Sequence, residues 1–283
     1  MVLPDVPGCR DVPDRRGSAV TPPAVSVLMG VWNGAPQVRE AIESVLSQTV
    51  ADLELIVVDD DSTDATSAIL ASFRDPRLQV VRRARGGLTS ALNAALSLSR
   101  APLLSRLDAD DLALPERLER QLAFLSAHPD VGLVGTAARE VDAAGREVTI
   151  VRPPADDAGI RRALIRRNPF VHSSVVMRRA AVERAGGYDE AFPVAQDYDL
   201  WMRMSRVTRM ANLPEPLVVR RLRPGRVTEA RDTERLRAEA SVKWRAVRGG
   251  AYPPWCALFV LRPLLAQAVP AGARRFLRRL GSR

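Results

Sequence analysis

Lysine is almost missing from this chain: Lys243 is the only one among 42 basic residues in 283 positions. Cysteine is nearly as scarce. Cys9 and Cys256 lie in opposite terminal segments, which argues against a disulfide framework or a cysteine-built metal site and makes a reducing compartment the expectation. Long hydrophobic runs are missing too. The N-terminus has no continuous apolar core of the kind a secretory signal needs. The apolar stretch at residues 255–269 is cut by Arg262 and Pro263, and is too short and too broken to read as a membrane span. No internal repeat is visible, which sets repeat architectures aside.

Charge is present but uneven. The formal net charge is +9, yet 16 of the 42 basic and only 4 of the 33 acidic residues fall between Arg220 and Arg283. That segment is +12 and the rest is −3. A basic tail of this kind can meet nucleic acid or an anionic membrane surface. The charge is confined to the tail, and no recognition motif or basic sheet interleaved with aromatics accompanies it, so nucleic acid is not the expected partner. Residues 1–23 carry five prolines among charges and read as a disordered leader.

Between these ends the pattern alternates. Apolar runs at 25–29, 53–58, 78–81 and 103–107 read as strands, separated by helical periodicity at 36–48, 62–73 and 88–98, with a further helix over 115–127. Strands at 131–141 and 147–151 are joined by a turn at 143–146. The order predicts a doubly wound α/β fold with a mainly parallel sheet and right-handed crossovers. The second half is more mixed: helices at 160–166, 197–206 and 228–247, and short strands at 173–177 and 217–221. Beyond it, Arg274, Arg275, Arg278 and Arg279 alternate with Phe276, Leu277 and Leu280, as in an amphipathic helix lying on a membrane surface.

Two of the apolar runs end in acid. The second strand runs into Asp59-Asp60-Asp61, and the run at 103–107 into Asp108-Ala109-Asp110-Asp111. Ligands of open α/β sheets bind outside the carboxyl ends of the strands. Carboxylates gathered there suit a divalent cation, a ribose or an amine. An Asp-x-Asp pair is a hard-oxygen ligand set for Mg²⁺ or Mn²⁺.

Seven pieces in order resemble the family 2 glycosyltransferases of the A-type glycosyltransferase fold. They are Val25-Ser26-Val27 through Trp32-Asn33, Ser44 to Thr49, Val57 to Asp64, Gly87 to Asn93, Leu107 to Asp111, His172 to Val175 with Gly186 to Asp189, and Gln196 to Trp201. The likeness spans roughly residues 24–225, leaving 226–283 as a basic helical extension. There are departures: Asp61 stands where a glycine or another small residue is common, Gln196 where a glutamate often precedes the aspartate, Arg83-Ala84-Arg85 where an asparagine is frequent, and Trp32 where a tyrosine is usual.

The resemblance implies an inverting enzyme that moves a sugar from a UDP- or dTDP-type donor to a hydroxyl of a cell-surface glycan or lipid-linked acceptor. It would work at the cytoplasmic face of the plasma membrane, held there peripherally by the tail. By the same likeness, Asp108 and Asp110 hold Mn²⁺ or Mg²⁺, with Asp108 also facing the donor. Asp59 meets the nucleoside, Asn33 lies beside the nucleotide, and His172 lies near the diphosphate. Asp197 is the general base, though on residue type alone it reads as a first-turn helix acid. Asp111 reads as a cap of the following helix. A sugar nucleotidyltransferase would share the α/β pattern and the metal carboxylates, but its phosphate loop needs a lysine that Val31 to Pro36 lacks. A catalytically silent scaffold is the remaining alternative, opposed by the intact Asp108, Asp110 and Asp197.

Overall fold

The structure is a computed structural model, and it describes residues 21–222 and 231–268. In chain order the elements are β1 (Val25–Val31), α1 (Val38–Leu46), β2 (Leu53–Asp59), α2 (Thr66–Ser72), β3 (Leu78–Arg82), α3 (Leu88–Leu98), β4 (Leu103–Arg106), β5 (Leu112–Ala113), α4 (Arg117–Ala127), β6 (Val131–Val141), β7 (Glu147–Val151), α5 (Asp157–Leu164), β8 (Val176–Arg178), α6 (Arg179–Ala185), α7 (Gln196–Met204), β9 (Arg209–Arg221), α8 (Asp232–Arg248) and α9 (Leu258–Ala268). The strands form one sheet in the order β3-β2-β1-β4-β8-β6-β9-β5, with β7 on β6.

The first four strands in that order are parallel. All seven residues of β1 and of β2 are buried, which is why these runs read as nearly unbroken hydrophobe. Side chains alternate across the sheet. Val25, Val27 and Met29 pack into one core with Ile42, Val45 and Leu125. Leu28, Ile56 and Leu104 pack into the other with Leu92, Tyr198 and Trp201. Beyond β4 the sheet becomes mixed: β8 runs antiparallel to β4 and β6 antiparallel to β8, while β9 is parallel to β6.

Three local expectations are corrected. The strand expected at 173–177 is a 3-10 turn at His172–Ser174 followed by β8. There the Ser174 hydroxyl bonds back to the Val171 carbonyl. The short strand at 217–221 is the end of a 13-residue one. Pro214 and Pro216 hid its first half, because proline cannot serve a ladder; a register shift between Thr136 and Ala137 of β6 absorbs them. Helix α2 starts at Thr66 rather than at 62, and neither Ser62 nor Thr63 caps it. Asp64 instead accepts from the Thr66 backbone N–H at 2.9 Å and from Ala35 N–H at 3.2 Å. The leader through residue 20, the start of the helix expected at 228 and the arginine-rich stretch after 268 lie outside the described residues; within the expected leader, Pro23 is already buried.

Candidate active site

The carboxyl ends of β1, β2 and β4 open into a cleft of about 810 Å³, walled on the far side by α7 and the start of α8. Asn33, Asp60, Asp108, Asp110, Asp111, His172 and Asp197 all line it. Residues spread over more than 160 positions therefore meet in one cavity of ligand-binding size.

The floor is the second acidic cluster. One carboxylate oxygen from each of Asp108, Asp110 and Asp111 lies within 4.8 Å of the others. Asp108 forms an ion pair with Arg106, whose side chain is fully buried beneath the site. Burial raises the Asp108 carboxyl, but the Arg106 charge, with lesser help from His172 and the Ser173 hydroxyl, outweighs it and holds the group well below the usual carboxylate range. Asp111 behaves oppositely. Burial first, then the charges of Asp108 and Asp110, push it up to about 7. Ser173 Oγ lies 2.7 Å from Asp108 Oδ2 and 2.5 Å from Asp111 Oδ2. One hydroxyl has one proton to donate, so it can serve only one of the two carboxylates at a time. The donor set is all hard oxygen, which fits Mg²⁺ or Mn²⁺. Asp111 is no helix cap: α4 is capped at Glu116, and Asp111 is a buried acceptor for Ser173 and for the Arg221 N–H at 3.2 Å.

Above the floor, His172 Nε2 lies 3.1 Å from the Tyr188 hydroxyl, and its ring meets Trp201 edge-on. Burial and the Arg106 charge push His172 down to about 4, against Asp197 and Asp108. It is therefore neutral at pH 7, the form that can donate a ring nitrogen lone pair. Asp197 sits in the first turn of α7 and accepts from Asn168 Nδ2 at 2.7 Å. The residue before the helix, Ala195, has φ +58, strain of a kind that gathers at functional sites.

At the mouth, the Arg85 guanidinium stacks 3.4 Å from the Trp32 ring centroid. Asn33, at φ +50, holds the Thr63 N–H at 2.9 Å. Asp59 is not among the lining residues. It is buried, and its oxygens accept from Ser62 N–H at 2.9 Å and Ser67 Oγ at 2.6 Å, tying β2 to α2. The residue of this strand end that reaches the cleft is Asp60. It accepts from Gly86 and Gly87 N–H at 2.8 and 2.7 Å. Arg106, Asn168 and Arg220 were also missed. Arg220 lines the cleft and Asn168 reaches Asp197 from 29 positions away, while Arg106 stands only two positions before its partner Asp108 but is hidden beneath the site. Ser173 had one, lying within the quoted His-Ser-Ser-Val stretch.

A sheet of this order with an acidic cluster at the β4 end defines the A-type glycosyltransferase fold. The family model described as "Glycosyl transferase family 2" matches residues 26–186. The chain is 32% identical to the putative glycosyltransferase EpsE of Bacillus subtilis over 262 residues, 88% of this chain and 91% of that one. It is also 32% identical to the amylovoran biosynthesis glycosyltransferase AmsE of Erwinia amylovora, covering 77% and 83%. The chain belongs to glycosyl transferase family 2. Among solved structures it shares its fold with the mannosyltransferase PcManGT of Pyrobaculum calidifontis, solved with GDP-Man and Mn²⁺, at TM-score 0.61 and 24% identity over 92% of this chain and 80% of that one. The same holds for Staphylococcus aureus TarS 1-349 in complex with UDP-GlcNAc, at TM-score 0.63 and 22% identity, covering 77% of this chain and 66% of that one, just under two thirds of its length.

Proposed function

We propose that this glycosyltransferase is inverting and moves a sugar from a UDP- or dTDP-type donor to a hydroxyl of a cell-surface glycan or lipid-linked acceptor. The observation that carries the reading is the convergence of Asp108, Asp110, His172 and Asp197 on one cleft.

Asp108 and Asp110 would hold Mn²⁺ or Mg²⁺, which when bound supplies a Lewis acid to neutralise the diphosphate leaving group. The chain's own residues do the rest. Arg106, buried behind the cluster, keeps Asp108 ionised as a ligand. Neutral His172, braced by Tyr188, offers a hydrogen bond toward the diphosphate. Trp32 and Arg85 form a flat wall on which a base can stack. Asp197 takes the proton from the acceptor hydroxyl as that oxygen attacks the anomeric carbon; the Asn168 amide aims it. Water exclusion falls to α7 and the start of α8, which close the far side.

The test is calorimetric binding of UDP, dTDP and GDP, each with and without Mn²⁺. Ion-dependent binding of UDP or dTDP supports the reading. Binding of GDP alone overturns the donor class, and binding of none overturns the donor site. Asp197→Asn should cut turnover about 10²- to 10⁴-fold with diphosphate binding intact. Normal turnover with weakened binding would refute the base assignment.

A further inference from the structure

Residues 240–283 contain nine basic residues and no Asp or Glu, so they hold the whole formal charge of +9. The remaining chain has 33 basic and 33 acidic residues. The described part of this segment, the second half of α8, a 3-10 turn at Pro254–Ala257 and α9, also displays most of the large exposed hydrophobe among the described residues. Of nine large apolar side chains exposed among the described residues, six are Trp244, Trp255, Leu258, Leu261, Leu264 and Leu265, at 46% to 68%. Trp244, Leu261 and Leu264 line an apolar groove between the two helices, together with Ala240, Ala257 and Val260. Exposed patches of this kind mark interaction sites.

The inward face of α8 is firmly packed. Val242 and Ala246 join the main core. Lys243, the one lysine, is buried, with Nζ 3.0 Å from the Arg166 carbonyl and 3.5 Å from that of Phe259. Helix α8 thus anchors the surface to the body, and its Lys243 meets α9. Exposed Arg237, Arg248 and Arg262 stand on the same two helices.

We propose that the outer face of α8 and α9 docks on an anionic lipid bilayer. Charge decides among the possible occupants. A second copy would set two acid-free basic segments against each other, and like charges facing one another disfavour association. The chain's own residues 269–283 add Arg274, Arg275, Arg278, Arg279 and Arg283 and no acid, so they would concentrate the charge. An anionic headgroup layer neutralises it, while tryptophans and leucines enter the interface. The described residues of α9 span about 16 Å, and Arg262 and Pro263 interrupt their apolar run. Among the described residues no helix is long and apolar enough to cross a membrane.

Helix α8 also links the docked face to the cleft. Arg231 and Arg235 line the cleft, and Trp244 lies nine residues further on, about 14 Å along the same axis. Where the transferase reading holds, the docked enzyme presents its acceptor side close to the lipid surface, the position a lipid-linked acceptor needs.

The test is co-sedimentation of the full chain with vesicles of phosphatidylcholine alone or with about a third phosphatidylglycerol. Binding is expected only to the anionic vesicles and to weaken with added salt. Trp244→Ser/Leu258→Ser/Leu265→Ser should weaken partition at least about tenfold with the melting temperature unchanged. Should that variant fold poorly, Arg248→Ser/Arg262→Ser changes only exposed positions and should cost about tenfold. No binding of the full chain, equal binding to neutral vesicles, or full binding by folded variants overturns the proposal. Self-association of the full chain that the triple variant abolishes, without vesicle binding, transfers the surface to a second copy. None of these readouts needs donor or transfer, so they stand or fall apart from the transferase reading.

Discussion

Two acidic clusters end neighbouring regions of the same sheet, and they meet opposite fates. At the end of β2, each carboxylate finds donors. Asp59 is held by Ser62 and Ser67, Asp60 by the Gly86 and Gly87 N–H groups, and Asp61 by an ion pair with Arg82 at 3.0 Å. At the end of β4 the carboxylates crowd together, and Arg106 and the Arg221 N–H serve Asp108 and Asp111 from outside the cluster. Asp108 and Asp111 share a single Ser173 hydroxyl, and Asp111 is pushed up to about 7 by burial and by its neighbours' charge. The same residue type therefore serves as scaffold in one cluster and, in the other, gathers in the arrangement that could hold a cation. Burial alone does not separate them: Asp60 and Asp111 are both almost fully buried. Spacing does: Asp108, Asp110 and Asp111 bring one oxygen each within 4.8 Å of the others.

The sharpest way to break this contrast is to remove an acid from the cluster gathered at the end of β4. Asp110→Asn, or chelation of the ion in the unmodified protein, should lower transfer at least about 100-fold, with Mn²⁺-dependent diphosphate binding lost in calorimetry. Asp110→Asn that keeps its Mn²⁺ dependence would assign the ion elsewhere. Next comes the well-supplied cluster. Asp60→Ala strips the Gly86 and Gly87 N–H groups of their acceptor and should destabilise the fold by about 1–3 kcal/mol. Thermal melting reads this, while Mn²⁺ dependence should persist; its loss would mean that the two clusters are one site. The smallest effect is expected at Asp61. Its φ of +63 suits glycine, the residue that is common at this place in the resembled family. Asp61→Gly trades an exposed ion pair for relief of a left-handed backbone, and should raise stability by up to about 1 kcal/mol. A lower melting temperature would show that the Arg82 pair outweighs the strain.

Much of the fold was legible because it is written locally. In β1, β2 and β4, runs of buried hydrophobe alternate with helical periodicity, and that repeat implies parallel strands with crossovers. The second half was harder to read. Strand β9 contains Pro214 and Pro216, which oppose strand by local rule; only its long pairing with β6 holds it. The site divides in the same way. Asp108, Asp110, His172 and Asp197 stand in motifs that resemble a known family, and the structure brings them together. Asp59 was favoured over Asp60 because a strand end does not reveal which carboxylate turns toward the cleft and which turns under α2.

By itself, the sequence determined the strand ends, the two acidic clusters, the family likeness and the acid-free basic segment after Glu239, since each follows from neighbours within a few residues. Tertiary structure alone decided how donors are shared. Ser173 lies 65 positions from Asp108, Asn168 lies 29 from Asp197, and Gly86 lies 26 from Asp60. Which partner each carboxylate finds depends on which distant groups the sheet and helices bring within about 3 Å of it. No local pattern encodes that distance.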